Sequence, residues 1–212
     1  MIVRAFQLLY ERGFCLKDEK EDGITAALRS IIENDLRQNG SVKGFSYRTY
    51  ESVIRQGQVS NYDFKKPAKA PDLFFKLRNS DEEPGRVVSE HHAIFVECKP
   101  VDKRHAAGRY CDAGLSRFVE GDYAWAMEEA LMLGYARHGR TIARHLIPAM
   151  QEPARLERLG TAELPRPVEE LAVGTDNAEP LYVSRHRRNF NWVADKGEAS
   201  DILVYHSWHK CG

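Results

Sequence analysis

Two charges one residue apart close the apolar run Ala93-Ile94-Phe95-Val96-Glu97-Cys98-Lys99-Pro100. Side chains of a strand alternate faces with period two, so Glu97 and Lys99 share one face, and Ile94, Val96 and Cys98 share the other. An acid and a base at the end of an apolar strand are costly unless they meet a metal, a substrate or each other. Upstream, Pro71-Asp72-Leu73-Phe74-Phe75 is a second strand-like run that begins with an acid. Asp72, Glu97 and Lys99 are therefore read as one metal-dependent site.

The residue types suit a particular chemistry. Mg²⁺ and Mn²⁺ take oxygen ligands and keep open positions. Carboxylates at neighbouring strand ends, Asp72 and Glu97, would hold such an ion and leave room for a phosphate oxygen and a water. The ion polarises the phosphodiester and lowers the pKa of the attacking water. A lysine beside it, Lys99, orients that water or steadies the developing charge. The competing readings are a structural salt bridge between Glu97 and Lys99, or two solvated charges at an exposed strand end.

Pro71-Asp72 followed by Glu97-Cys98-Lys99, after one amphipathic helix and before another, resembles the PD-(D/E)xK nuclease superfamily over roughly residues 18 to 138. That superfamily includes restriction endonucleases, phage exonucleases, recombination nucleases and nucleases of bacterial defence systems. The resemblance implies a restriction-endonuclease-like αβββαβ core with added C-terminal strands. It further implies Mg²⁺- or Mn²⁺-dependent hydrolysis of DNA, with Asp72 and Glu97 as metal ligands and Lys99 in water activation. Many members add an acid from the first helix. Glu21 is the first choice here because it lies in line with the core-facing stripe, and Glu19 is the second. Glu21 also has a plain reading as a helix cap. A defence or DNA-processing role follows from the resemblance alone, as does self-association or a partner subunit such as an ATPase.

The elements that must position these residues follow from patterning. The interval Asp18 to Asn39 has Ile24, Ala27, Leu28, Ile31, Ile32 and Leu36 at helical spacing, with a capping-box spacing at Asp18 and Glu21 and a stop at Asn39-Gly40. Residues 2–10 fit a strand or a short helix equally. Phe45 to Ile54 predicts a strand, Gly57 to Lys69 a loop, Leu73 to Leu77 a strand, and Arg78 to Glu90 a loop. A long helix is predicted from Asp122 to about His138, closed by Gly139. Thr141 to Met150 is apolar, helix or strand. Residues 151–180 hold four prolines and predict an irregular excursion with at most one short helix. Leu181 to Val183 and Ile202 to Tyr205 predict two late strands. The order argues for a single α/β domain, a mixed sheet flanked by helices, with its core over about 18–150.

Binding groups are less sharply marked. Lys103, Arg104, Arg109 and Arg117 follow the Glu97 strand and are candidates for phosphate contacts, or else partners of Asp112, Glu120 and Asp122. Arg185, Arg187 and Arg188, with Phe190 and Trp192, would hold a nucleic-acid backbone and stack on a base, or form a solvated strand edge. His206, His209 and Cys211 lack the second pair of a zinc site and are read as structural, as are His91 and His92. Cys98 faces the apolar layer and is no nucleophile.

Composition bounds the rest. The chain has 212 residues, 42% hydrophobic and 29% charged, with formal net charge zero, so any basic surface is local. Four scattered cysteines fit reduced thiols. No apolar run reaches membrane-spanning length, and the expected compartment is the cytoplasm. A second class of reading is open: a catalytically silent nuclease-like module that binds nucleic acid or assembles a complex, using the run Thr141 to Met150 and the proline-rich excursion as partner surface.

Overall fold

The computed structural model describes residues 1–78, 91–169, 178–192 and 197–212. The described residues form one seven-stranded mixed sheet in the order β1-β2-β3-β4-β7-β6-β5. The strands are β1 (Tyr50–Arg55), β2 (Leu73–Leu77), β3 (Ala93–Val101), β4 (Glu129–Ala136), β5 (Thr161–Pro167), β6 (Tyr182–His186) and β7 (Ile202–Lys210). β1, β2 and β3 pair antiparallel, β3, β4 and β7 run parallel, and β7, β6 and β5 return to antiparallel pairing.

Helices cover both faces. On one face lie α1 (Ile2–Glu11) and α2 (Glu21–Ile31), the latter continued by wider turns over Ile32–Arg37. Their buried residues Phe6, Ile24, Leu28 and Ile32 pack on Leu73, Phe75, Val96 and Cys98. The other face carries α3, a continuous helix in three pieces, Ala107–Tyr110, Cys111–Leu115 and Ser116–Val119. It also carries α4, made of Ile142–Leu146 and Ile147–Met150. Tyr110, Leu115, Phe118, Ile142 and Leu146 pack there against Phe74, Phe95, Met132 and Trp208. A short α5 (Pro153–Arg158) follows, with Pro153 in its first turn, where a missing N–H costs nothing. Arg155 on α5 reaches Asp112 on α3 at 2.8 Å and ties the two together.

The two-sided burial explains where sequence patterning misleads. The predicted helix Asp122 to His138 is strand β4, preceded by a loop. β4 lies between two parallel neighbours with helices on both faces, so Ala130, Met132, Leu133, Tyr135 and Ala136 are all buried. Such a strand is apolar throughout, and strand alternation disappears. The helix stands instead at Ala107 to Val119, in the stretch that carries Arg109 and Arg117. Gly114 keeps it close to β3 and β4: a Cβ there would lie 2.6 Å from Met132 Cε and 3.3 Å from Lys99 Cγ, and the Met132 side chain would have to shift.

Other corrections are smaller. Residues 2–10 are helical, and their apolar stripe Ile2, Ala5, Phe6 and Leu9 is buried. The Asp18–Glu21 capping box does not form: α2 is capped by Lys20, without a side-chain bond. Strand β1 begins at Tyr50, not Phe45, because residues 45–49 turn on bonds such as Thr49 N–H to Ser46 O. The proline-rich interval 151–180 contains strand β5 as well as α5. β5 sits at the sheet edge, where Pro165 and Pro167 interrupt no central ladder. Ile142, Leu146 and Met150 turn into the core, so the run 141–150 is not a free apolar surface. The loop expected over 78–90 lies outside the described residues from 79 onward. Among the described residues, no helix is long and apolar enough to cross a membrane.

Candidate active site

β2 and β3 bring the first acid to the second. The register places Leu73 opposite Val96, so Asp72 arrives beside Glu97 and Cys98. Asp72 Oδ2 accepts the Cys98 backbone N–H at 2.7 Å, which fixes the carboxylate at the strand end. Phe95 packs with the α3 face and Val96 and Cys98 with the α2 face, so Glu97 and Lys99 share the α3 side, as alternation requires. The Cys98 thiol is wholly buried and its pKa is raised well above the ordinary value by that burial.

Lys99 is the centre of the arrangement. Its Nζ lies 2.6 Å from Glu97 Oε1, 3.4 Å from Glu21 Oε1 and 3.6 Å from Asp72 Oδ2. It also donates to the Cys98 carbonyl at 2.7 Å. Glu21 opens α2 on the opposite face of the sheet, yet its carboxylate reaches the same ammonium. Glu19 does not: its carboxylate accepts the Lys20 N–H. Four residues singled out by type and spacing, 78 positions apart at the extremes, thus meet at one point.

Glu97 carries the strongest perturbation. Its side chain is fully buried, and burial first, then the neighbouring Asp72 charge, push its pKa up to about 7 against the pull of Lys99 and Arg117. Burial likewise raises Glu21. For Lys99 burial pulls downward, but Glu97, Asp72 and Glu21 together outweigh it and the ammonium is held charged. Desolvation together with a like charge and a cation partner makes Glu97 a candidate functional group.

Sequence reasoning missed a further group. Tyr123 Oη donates to Glu97 Oε2 from a wholly buried ring packed edge-on to Phe118. Tyr123 falls inside the helix that patterning predicts from Asp122 to His138, where it has no link to Glu97. In the structure it follows Gly121, whose φ of +70° lets the chain turn back from α3 toward β4. Lys66 and Lys69 clamp this turn through the buried Asp122 carboxylate, at 3.2 and 2.6 Å.

The expected basic contacts are scattered. Arg117 is at the site, with Nη1 3.0 Å from Glu97 Oε1 and 3.5 Å from Tyr123 Oη. Lys103, Arg104 and Arg109 are exposed in the loop after β3 and at the start of α3. Arg185 pairs with Glu163 at 3.2 Å on the sheet edge, and Arg187 is exposed beside it. Arg188 is buried and spends its guanidinium on the carbonyls of Ala124, Trp125 and Met127, so it offers nothing to a ligand. Phe190 stacks on Tyr62 and Trp192 packs against Trp125. His206 and His209 are buried in hydrogen-bonded positions.

As they stand, no three His, Cys, Asp or Glu side chains among the described residues are grouped closely enough to enclose a metal ion. Lys99 occupies the space between the three carboxylates. The donors nonetheless fit Mg²⁺ or Mn²⁺: all are hard carboxylate oxygens. Glu97 Oε1 is buried 2.6 Å from Lys99 Nζ and 3.0 Å from Arg117 Nη1, so a metal ion would share this oxygen with two cations or displace one of them. In comparisons with protein-family models, curated proteins and solved structures, nothing matches this chain.

Proposed function

We propose that the chain is a divalent-metal-dependent nuclease that hydrolyses DNA phosphodiester bonds at the Asp72–Glu97–Lys99 site. The observation that carries this reading is the convergence of Asp72, Glu97 and Glu21 on the single ammonium of Lys99. The order of elements supports it too: α2, then antiparallel β1-β2-β3, then α3, then β4 parallel to β3, is the αβββαβ order that the PD-(D/E)xK resemblance implies. DNA as the substrate, a defence or DNA-processing setting, and a partner subunit rest on that resemblance.

Asp72 and Glu97 would hold the ion, with Glu21 beside them. A bound divalent ion supplies Lewis-acid polarisation of the phosphodiester and a water of lowered pKa. Lys99, kept charged by its three acids, orients that water and stabilises the negative charge that develops on the phosphoryl oxygens. Tyr123 fixes the Glu97 carboxylate from inside the fold. The Asp72 bond to the Cys98 N–H ties the first acid to the strand that carries the second.

The test is cleavage of plasmid and linear DNA by purified protein with Mg²⁺ or Mn²⁺, compared with Glu97→Ala and Lys99→Ala variants of unchanged circular dichroism. Cleavage that persists in both variants removes the assignment. Calorimetry that finds no Mg²⁺ or Mn²⁺ binding by the wild type, even with DNA present, favours the silent nucleic-acid-binding module.

A further inference from the structure

Three groups hold the Glu97 carboxylate, and they are not equally fixed. Lys99 has a side chain 13% exposed and three acids around it. Tyr123 is enclosed between Phe95 and Phe118. Arg117, on the last piece of α3, has a side chain 39% exposed, and among the described residues the polar contacts of its guanidinium are Glu97 and Tyr123 Oη. Withdrawal from Glu97 costs Arg117 less than it would cost Lys99 or Tyr123, because its partly exposed side chain can return to water. The same withdrawal would strand Lys99 or Tyr123 inside the protein.

Charge counting gives this difference a purpose. With all groups ionised, three carboxylates face two cations, Lys99 and Arg117, and the cluster carries one net negative charge. A divalent ion turns that into one net positive charge, which a phosphodiester monoanion neutralises. A guanidinium is also the side chain best shaped to grip phosphate oxygens in pairs.

Building on the metal-site reading, we infer that Arg117 is the exchangeable counter-ion of Glu97. It neutralises the carboxylate while no divalent ion is present, yields Glu97 when one binds, and is then free to bind the substrate phosphate. Arg117 in this way couples the two ligands: an ion on the acids strengthens DNA binding, and by linkage DNA strengthens ion binding by the same factor.

Calorimetric titration of Mn²⁺ alone into wild type, Arg117→Ala and Arg117→Lys tests the first half. Removal of a competing cation should tighten Mn²⁺ binding in Arg117→Ala by about fivefold, within the usual span of such couplings, while Arg117→Lys stays near wild type. Anisotropy of labelled duplex DNA with and without Ca²⁺ tests the second half. The Ca²⁺-dependent gain in affinity should shrink by about tenfold in Arg117→Ala. If Arg117→Ala does not keep a cooperative unfolding transition, Arg117→Gln replaces it in both measurements. Mn²⁺ binding equal to or weaker than wild type in the folded variant overturns the role of Arg117 and leaves the metal site standing. Absence of Mn²⁺ binding in every protein overturns the metal site itself, and the exchange with it.

Discussion

Tyr123 donates its phenolic proton to Glu97, 26 residues upstream, and both side chains are sealed from solvent. The carboxylate therefore has one oxygen fixed from within and one turned to the cations. Tyr123→Phe removes only the hydroxyl and leaves a buried carboxylate oxygen without its donor. The expected loss of stability is about 1–3 kcal/mol, read as a lower denaturation midpoint. Because Tyr123 acts through Glu97, kcat should fall by about tenfold or more while KM for DNA moves much less. Equal losses in both would show a general disturbance of the fold.

Lys99→Met separates an active centre from a salt bridge. The substitution leaves three acids without their shared ammonium, with Glu97 still inside, and should destabilise the protein by about 3–5 kcal/mol. A divalent ion can take over the vacated charge. Thermal unfolding of Lys99→Met should then rise with added Mg²⁺ or Mn²⁺, by about 2.7 kcal/mol at a hundredfold excess over Kd, and fall again with chelator. The wild type should respond less. A variant indifferent to both ions would mean that the acids hold no metal.

The candidate site was more legible in the chain than the fold around it. Asp72, Glu97 and Lys99 could be placed on one face because β2 and β3 alternate, and alternation survives wherever a strand has one polar position to show. β4 has none: its neighbours and both helical layers bury it, so Ala130 to Ala136 carry no period. Gly108 and Gly114 lie within α3 and weaken its helical pattern. Gly114 is in fact what lets the helix approach Lys99 and Met132. Tyr123 had no sequence signal beyond two glycines and several charges nearby, since its role depends on a turn 26 residues from its partner. β5 was hidden by prolines that only an edge strand tolerates.

Gly134→Ala probes that central layer. Gly134 pairs with Lys99 on one side and Trp208 on the other. A Cβ at Gly134 would fall 2.4 Å from Trp208 Cδ1, and the indole is fully buried with no room to retreat. Overpacking of this kind costs about 1–3 kcal/mol. Because Gly134 also neighbours Lys99 in the ladder, activity should drop alongside stability. A variant as stable and as active as wild type would mean that Trp208 is far less constrained than its packing implies.

A buried relay behind the site sets the acid limit of the fold. His186 Nδ1 lies 2.9 Å from the Leu159 carbonyl, which can only accept, so Nδ1 carries the proton and Nε2 is bare. Ser184 must then donate to His186 Nε2 at 2.7 Å and accept from His206 Nε2 at 2.8 Å. His206 Nδ1 is left to accept from Tyr110 Oη at 3.0 Å, in preference to the Met132 carbonyl at 3.3 Å. Both imidazoles are neutral in this assignment, in keeping with their burial. Burial lowers His186 to about 4 and His206 to about 3, and His209, stacked on Phe6, to about 3 as well. The unfolded chain takes up these protons near pH 6.5 and the folded one does not. Stability is thus fully present above about pH 6.5 and is lost as pH falls toward 3, by up to about 1.4 kcal/mol per pH unit for each histidine. Glu97 and Glu21, raised in the folded state, oppose this on the way down, so the difference between variants isolates the relay. His206→Gln keeps a donor for Ser184 and cannot titrate. It should be less stable than wild type at pH 7, and its stability should fall less steeply from pH 6 to pH 4, by about one histidine's share. Denaturant unfolding across that range gives both curves, and parallel curves would mean that His206 already carries a proton in the folded protein.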